Sequence, residues 1–309
     1  MKLSIVATLY QSAPYIEEFH YRASKVARQL VGEDFEIVLV NDGSPDNSLD
    51  IAIALTEIDD HIVVVDLSRN FGHHKAMMTG LSQAKGKQIF LIDIDLEEEP
   101  EYLIVFARQM ESTSCDVVYG VQAKRRGGWL TRWSGEWFYI FFRAATGLAL
   151  PANAVVARLM TRRYVDALLR HEEREVFINA LWHITGFTQI PVPIKKHDTS
   201  TTTYTFHKKL SLAVNSITSF SSSPLIAILY TGLSIFFIST SYMIYLIFQR
   251  IFLSKPLIGW MPLMSSIWII GGLIMTFIGI IGVYIAKMFS EIKHRPYTII
   301  RDIYEKHGK

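Results

Sequence analysis

The sequence predicts an α/β protein: a mostly parallel sheet covered on both faces, followed by an amphipathic segment and two C-terminal membrane-spanning helices. Three observations carry this expectation. Apolar strand-like runs alternate with segments of helical period through the first part of the chain. Clusters of polar residues recur at the carboxyl ends of those runs, where open parallel sheets bind their ligands. Finally, Pro224–Phe248 and Pro262–Ala286 contain no charged residue at all.

In order, Leu3–Thr8 reads as a first strand rather than a signal peptide, because no long apolar region or small-residue cleavage site accompanies it. Ile16–Leu30 has helical periodicity. Phe35–Val40 is a second strand ending at Asn41-Asp42-Gly43-Ser44-Pro45, and Ser48–Ile58 is helical. Ile62–Asp66 is a third strand, His73–Ala84 a helix, and Gln88–Ile92 a fourth strand. Pro100–Met110 is helical and Asp116–Val121 is a fifth strand. Such alternation argues for parallel strands joined by helical crossovers. The polar clusters at Thr8–Ser12, Asn41–Ser44, Ser68–Lys75 and Asp93–Glu97 then fall on one side of the sheet. No G-x-G-x-x-G follows the first strand, which disfavours a dinucleotide-dependent dehydrogenase.

The 309 residues carry a net charge of +2, so no general polyanion-binding surface and no nucleic-acid partner is expected. The single cysteine, Cys115, excludes an internal disulfide framework and fits a reducing compartment. Hydrophobic residues make up 50% of the chain, an excess concentrated towards the C-terminus. At about 1.5 Å per residue, either uncharged stretch can cross a hydrocarbon core of about 30 Å. Lys287, Lys293, Arg295, Arg301, Lys306 and Lys309 follow the second stretch, which favours a cytoplasmic tail. Two spans would return the main domain to that side. Trp129, Trp133, Trp137 and Phe141 share a helix face beside Arg132, so Trp129–Phe142 reads either as core or as a helix in a membrane interface. His207–Phe220 is a second amphipathic candidate. The expected organisation is a catalytic domain over residues 1–206, a juxtamembrane helix over 207–223, two spans within 224–286 and a basic tail over 287–309.

The chemistry centres on Gln88–Pro100, QIFLIDIDLEEEP, where an apolar strand runs into Asp93, Asp95 and Glu97 at two-residue spacing. Carboxylates at a strand's carboxyl end can hold a hard divalent cation on a rigid support. The alternative is an acidic helix start, which Glu97–Glu99 also suit. A metal on Asp93 and Asp95 calls for an anionic partner such as a diphosphate, towards which Arg69, His73, His74 and Lys75 could add donors. Asp42 could accept hydrogen bonds from a base or ribose, or simply shape its turn.

Asn41-Asp42-Gly43-Ser44, Arg69-Asn70-Phe71-Gly72 and Asp93-x-Asp95-Leu96 resemble the signatures of family-two glycosyltransferases of the GT-A (Rossmann-like) fold. With Glu136-Trp137-Phe138-Tyr139, Ile217-Thr218-Ser219-Phe220-Ser221 and the paired spans, the order resembles polyisoprenyl-phosphate glycosyltransferases, the group of dolichyl-phosphate mannose synthase and GtrB. The resemblance implies inverting transfer of a sugar from a nucleotide-sugar to a polyprenyl (undecaprenyl or dolichyl) phosphate at the cytoplasmic face, with Mg²⁺ or Mn²⁺. It implies an integral membrane protein, of the inner membrane in a bacterium, with both termini cytoplasmic and homo-oligomers allowed. By the same resemblance Thr8, Tyr10, Asp42, Lys75 and Asp93 would bind the nucleotide-sugar. Asp93, Asp95 and Glu97 would hold the metal, Asp95 and Arg69 would act in catalysis, and Arg132 and Arg158 would grip the acceptor phosphate.

Some positions depart from the family pattern. Thr8, Gln11 and Ser12 replace a common proline and Asn-Glu pair, Gln122 replaces a common arginine, and Ser200–Tyr204 replaces a G-x-S-K-like loop. An aspartate proposed as a base aligns with Val156. General-base help is typically worth about 10²–10⁴-fold for a hydroxyl acceptor. A phosphate, with its second pKa near about 6, is already largely anionic and needs no base. Val156 therefore fits a phosphate acceptor better. Two other readings remain: transfer to a saccharide or lipid hydroxyl, and a silent membrane subunit supporting a flippase or transferase.

Overall fold

The structure is a computed structural model and describes residues 1–122, 153–173, 178–195, 223–253 and 260–306. The expected interfacial stretches Trp129–Phe142 and His207–Phe220, and with them Arg132, lie outside the described residues.

Strands β1 (Leu3–Leu9), β2 (Phe35–Asn41), β3 (Ile62–Leu67) and β4 (Gln88–Leu91) are mutually parallel, in the spatial order β4-β1-β2-β3. They are joined by α1 (Ile16–Val31), α2 (Ser48–Ile58) and α3 (His73–Gln83). Every residue of β1 and β2 is buried, as a sheet covered on both faces requires. One face packs on α1 and α4 (Tyr102–Thr113) through Ile5, Ala7, Leu39, Phe19 and Phe106. On the other, α3 lies so close that a Cβ on Gly80 would come within 2.5 Å of Val6 and 2.8 Å of Val40.

The sheet has eight strands and differs from expectation in two places. First, β5 (Val117–Gln122) does not pair with β4. Instead β6 (Ala154–Thr161) lies between them, antiparallel to both, and β7 (Gln189–Ile194) adds parallel to β5. Because β6 is antiparallel, its amino end lies beside the carboxyl ends of β1–β4: Arg158 is opposite Leu91, and Val156 is two residues further out. Helices α5 (Arg162–Leu168) and α6 (Ile178–Ile184) follow β6.

Second, part of the segment expected as a basic tail adds a strand to the sheet. Ile300–Glu305 forms β8, antiparallel to β3 at the sheet edge, and Arg295 onward belongs to the same compact unit as the sheet. Asp302 and Glu305 are exposed there, and charge on an edge strand discourages pairing with other chains.

The other unit contains α7 (Ser223–Leu253) and α8 (Trp260–Ile292). Large apolar side chains stand exposed along both, among them Tyr230, Phe237, Ile238, Met275 and Ile278. Among the described residues, the stretch Ile269–Ile292 is long and apolar enough to cross a membrane.

Candidate active site

Four parallel strands ending on one edge bring four loops together. The β1 and β2 exits are tied by side chains. The Gln11 amide donates to Ser44 Oγ at 2.7 Å, the Ser12 amide to Ser48 Oγ at 3.0 Å and the Ala13 amide to Asp46 Oδ2 at 3.3 Å. The β2 and β3 exits are joined by Asp42, whose two oxygens accept from the Phe71 amide at 2.7 Å and the Gly72 amide at 3.0 Å. Asp42 is buried, which pushes its carboxyl up from the ordinary value, while those two amides pull it back. Gly43, at φ +60°, passes so close to the backbone of Arg69 and Asn70 that any Cβ there would overlap it. The family-like N-D-G-S and R-N-F-G runs are thus two halves of one interlocked loop pair.

At the β4 exit, Asp93 points to His73, the first residue of α3. His73 Nε2 lies 3.3 Å from Asp93 Oδ1, an ion-pair contact, and Thr8 Oγ1 is 3.0 Å from His73 Nδ1. Burial works against charge on His73, but Asp93, Asp42 and Asp95 together raise its pKa. Asp93 Oδ1 is left a buried acceptor with no hydrogen-bond donor. Asp95 Oδ1 accepts from the Glu97 amide at 3.0 Å. Glu97 is buried, at 7% exposure.

Do these residues fit a divalent cation? The donors are hard carboxylate oxygens, and one of them is buried and lacks a donor. That fits Mg²⁺ or Mn²⁺, which often use one or two carboxylates and complete their shell with water and substrate phosphates. Among the described residues, no group of three or more His, Cys, Asp or Glu side chains is arranged to hold a metal by itself. Asp93, Asp95 and Glu97 follow one another at two-residue spacing just beyond β4.

The remaining expected residues are placed as follows. Tyr10 is exposed at the β1 exit. Arg69 lies over the Phe71 ring at 4.2 Å. Lys75 is in the first turn of α3, beyond His73. Arg158, by contrast, is buried at 2% exposure, with its guanidinium on the Trp182 ring and bonded to the carbonyls of Val155 and Val156. Burial pulls its pKa down to about 9, still charged at neutral pH. Glu98, one of three successive glutamates, is fully buried and accepts from the Ala157 amide at 2.7 Å and the Val156 amide at 3.4 Å. It clamps the start of β6 at Val156 and Ala157. The sequence gives no cue that distinguishes it from Glu97 and Glu99.

The glycosyl transferase family 2 profile matches residues 4–169. A protein of Mycobacterium tuberculosis described as a glycosyltransferase is 48% identical over 98% of this chain and 89% of its own length. The bactoprenol glucosyl transferase of Shigella phage SfV is 30% identical over 99% of this chain and 100% of its own length. A homologue of that enzyme in Escherichia coli K12, prophage-derived, is 31% identical over 98% of this chain and 99% of its own.

Proposed function

The chain belongs to glycosyltransferase family 2 and is a glycosyltransferase, and we propose that it moves a sugar from a nucleotide-sugar to a polyprenyl phosphate at the cytoplasmic face of a membrane, with inversion and with Mg²⁺ or Mn²⁺. The observation that carries this reading is the reach of the likeness to bactoprenol glucosyl transferases. It extends over 99% of this chain, and so takes in α7 and α8 as well as the sheet.

The topology supports membrane insertion by a pair of spans. β8 lies in the same sheet as β1–β7, although α7 and α8 stand before it in the chain. A chain that crosses a bilayer between two strands of one sheet must cross an even number of times. α7 and α8 provide two helices, and at about 1.5 Å per residue each exceeds the roughly 30 Å of a hydrocarbon core.

In this reading the donor lies over the joined loops at Asn41–Ser44 and Arg69–Gly72, with Thr8, Tyr10 and Lys75 beside it. Asp93 and Asp95, with Glu97 behind them, would hold the cation, which when bound would neutralise the departing diphosphate. Arg69 lies within the same group of loops and adds positive charge for that leaving group. An oxygen of the lipid phosphate attacks the anomeric carbon. The new C–O bond forms as the bond to the nucleoside diphosphate breaks, and the electron pair leaves with the diphosphate. No proton need be removed from the acceptor, which accords with valine at 156. Arg132 would grip the acceptor phosphate, while Arg158 would add its charge from inside the sheet, two residues along from Val156.

Incubating the purified protein with polyprenyl phosphate, Mg²⁺ or Mn²⁺ and a panel of UDP-, GDP- and dTDP-sugars tests the reading. Mass spectrometry of the lipid should show a polyprenyl-phosphate sugar. Sugar appearing instead on a saccharide or lipid hydroxyl would overturn the acceptor.

A further inference from the structure

The C-terminal strand reaches the donor side of the sheet. Arg301, on β8, places Nη1 3.2 Å from Asp66 Oδ2 and donates from Nη2 to the Ser68 carbonyl at 2.7 Å. Asp66 is 1% exposed, and its other oxygen accepts from Asn41 Nδ2 at 2.7 Å. Asn41 Oδ1 in turn accepts from the Ser44 amide at 3.2 Å. Just before β8, Ile299 accepts from the Ser68 amide at 2.9 Å, and Thr298 Oγ1 lies 2.8 Å from Thr79 Oγ1 on α3.

Arg301 therefore touches the start of one loop of the pair directly and the other through Asp66 and Asn41. Asp42 also joins the same two loops through the Phe71 and Gly72 amides, so the pair is fastened twice. A buried carboxylate needs charged or hydrogen-bonding partners. Asp66 has an amide from β2 and a guanidinium from the far end of the chain.

We infer that Arg301 is a positioning residue for nucleotide binding, so that the donor pocket is complete only when the chain has passed through α7 and α8 and returned to the sheet. This rests on the donor lying over the Asn41–Ser44 and Arg69–Gly72 loops. The guanidinium is half exposed, so its replacement loosens the loops without opening the core.

The test uses the full-length protein with Arg301→Ala, Arg301→Lys and the double variant Arg301→Gln/Asp66→Asn, which removes both charges yet keeps a donor and an acceptor. Calorimetric titration of UDP, GDP and dTDP reads the pocket without turnover, and steady-state assays give KM for donor and acceptor separately. Arg301→Ala should weaken nucleotide binding and raise donor KM about tenfold, with acceptor KM within about twofold. Arg301→Lys, which keeps the charge but not the two-point grip, should fall between. If Arg301→Ala does not fold, Arg301→Lys and the double variant carry the measurement, with a smaller rise in donor KM expected at a wild-type melting temperature.

Unchanged nucleotide binding in the folded variants overturns the inference, as does an equal rise in both KM values. Wild-type protein that binds a nucleotide but does not glycosylate polyprenyl phosphate overturns the proposed acceptor alone. Wild-type protein that binds none of the three overturns both.

Discussion

Both ends of the sheet set histidine against aspartate, and they treat the carboxylate in opposite ways. At the amino end, Asp59 accepts from His20 Nε2 at 2.7 Å, His61 Nδ1 at 2.6 Å and the His61 amide at 3.0 Å, with Arg28 at 3.8 Å. His61 is itself stacked on Phe35, their ring centroids 4.1 Å apart. At the carboxyl end, Asp93 Oδ1 is buried without a hydrogen-bond donor and lies 3.3 Å from His73 Nε2. An unsatisfied buried acceptor costs about 1–3 kcal/mol, so its presence is informative where a ligand can supply the missing partner. Asp59 is engaged on every side within the fold, whereas in the proposed reading Asp93 keeps an oxygen for a ligand.

The largest expected effect breaks the reserved end. Asp95→Asn should lower sugar transfer by at least about 10²–10³-fold, the scale of losing electrostatic stabilisation of a leaving group. Asp93→Asn should do the same and leave the melting temperature near that of the wild type, because the oxygen it changes has no hydrogen-bond donor to lose. Thermal melts beside transfer assays check both. A large drop in melting temperature for Asp93→Asn would make that residue structural and erase the contrast with Asp59.

At the saturated end the pattern should invert. Asp59→Ala strands two histidines and should cost about 2–3 kcal/mol in urea unfolding, with transfer per folded molecule within about twofold. Between these extremes lies Gly43→Ala. Its positive φ and the backbone of Arg69 and Asn70 leave no room for a methyl group. We expect a loss of about 1–3 kcal/mol together with a raised donor KM, since the strain falls on the loop pair itself.

How much of this could be read from the residues depends on range. Strands β1 to β4 and their helices announce themselves by local period, and Asp42, Arg69, Lys75, Asp93 and Asp95 fall on one edge because parallel strands must end there. β6 is hidden because an arginine interrupts its apolar run, and that arginine packs on Trp182 and Tyr119, which are distant in sequence. β8 is hidden because Ile300–Glu305 is a charged edge strand, and its charges read naturally as a cytoplasmic tail. The Arg301–Asp66 pair spans 235 positions, a separation at which no local pattern operates. Glu98 differs from its glutamate neighbours only by which strand it meets.

The smallest effect is a pH dependence assigned to the saturated end. Burial disfavours the charged form of Asp59, but the hydrogen bonds from His20 and from the His61 amide and ring outweigh it and hold the pKa at about 2, against an ordinary 3.8. Between those values the unfolded chain binds the proton and the folded one does not. Stability from this group is therefore fully present above pH about 4 and drains away as pH falls towards about 2, by about 1–2 kcal/mol in all. Urea midpoints measured from pH 5 to pH 2.5 should fall more steeply for the wild type than for Asp59→Asn, which has no proton to gain. Parallel slopes would mean that the acid sensitivity arises elsewhere, and the amino end would lose its claim to be the group that fastens the fold.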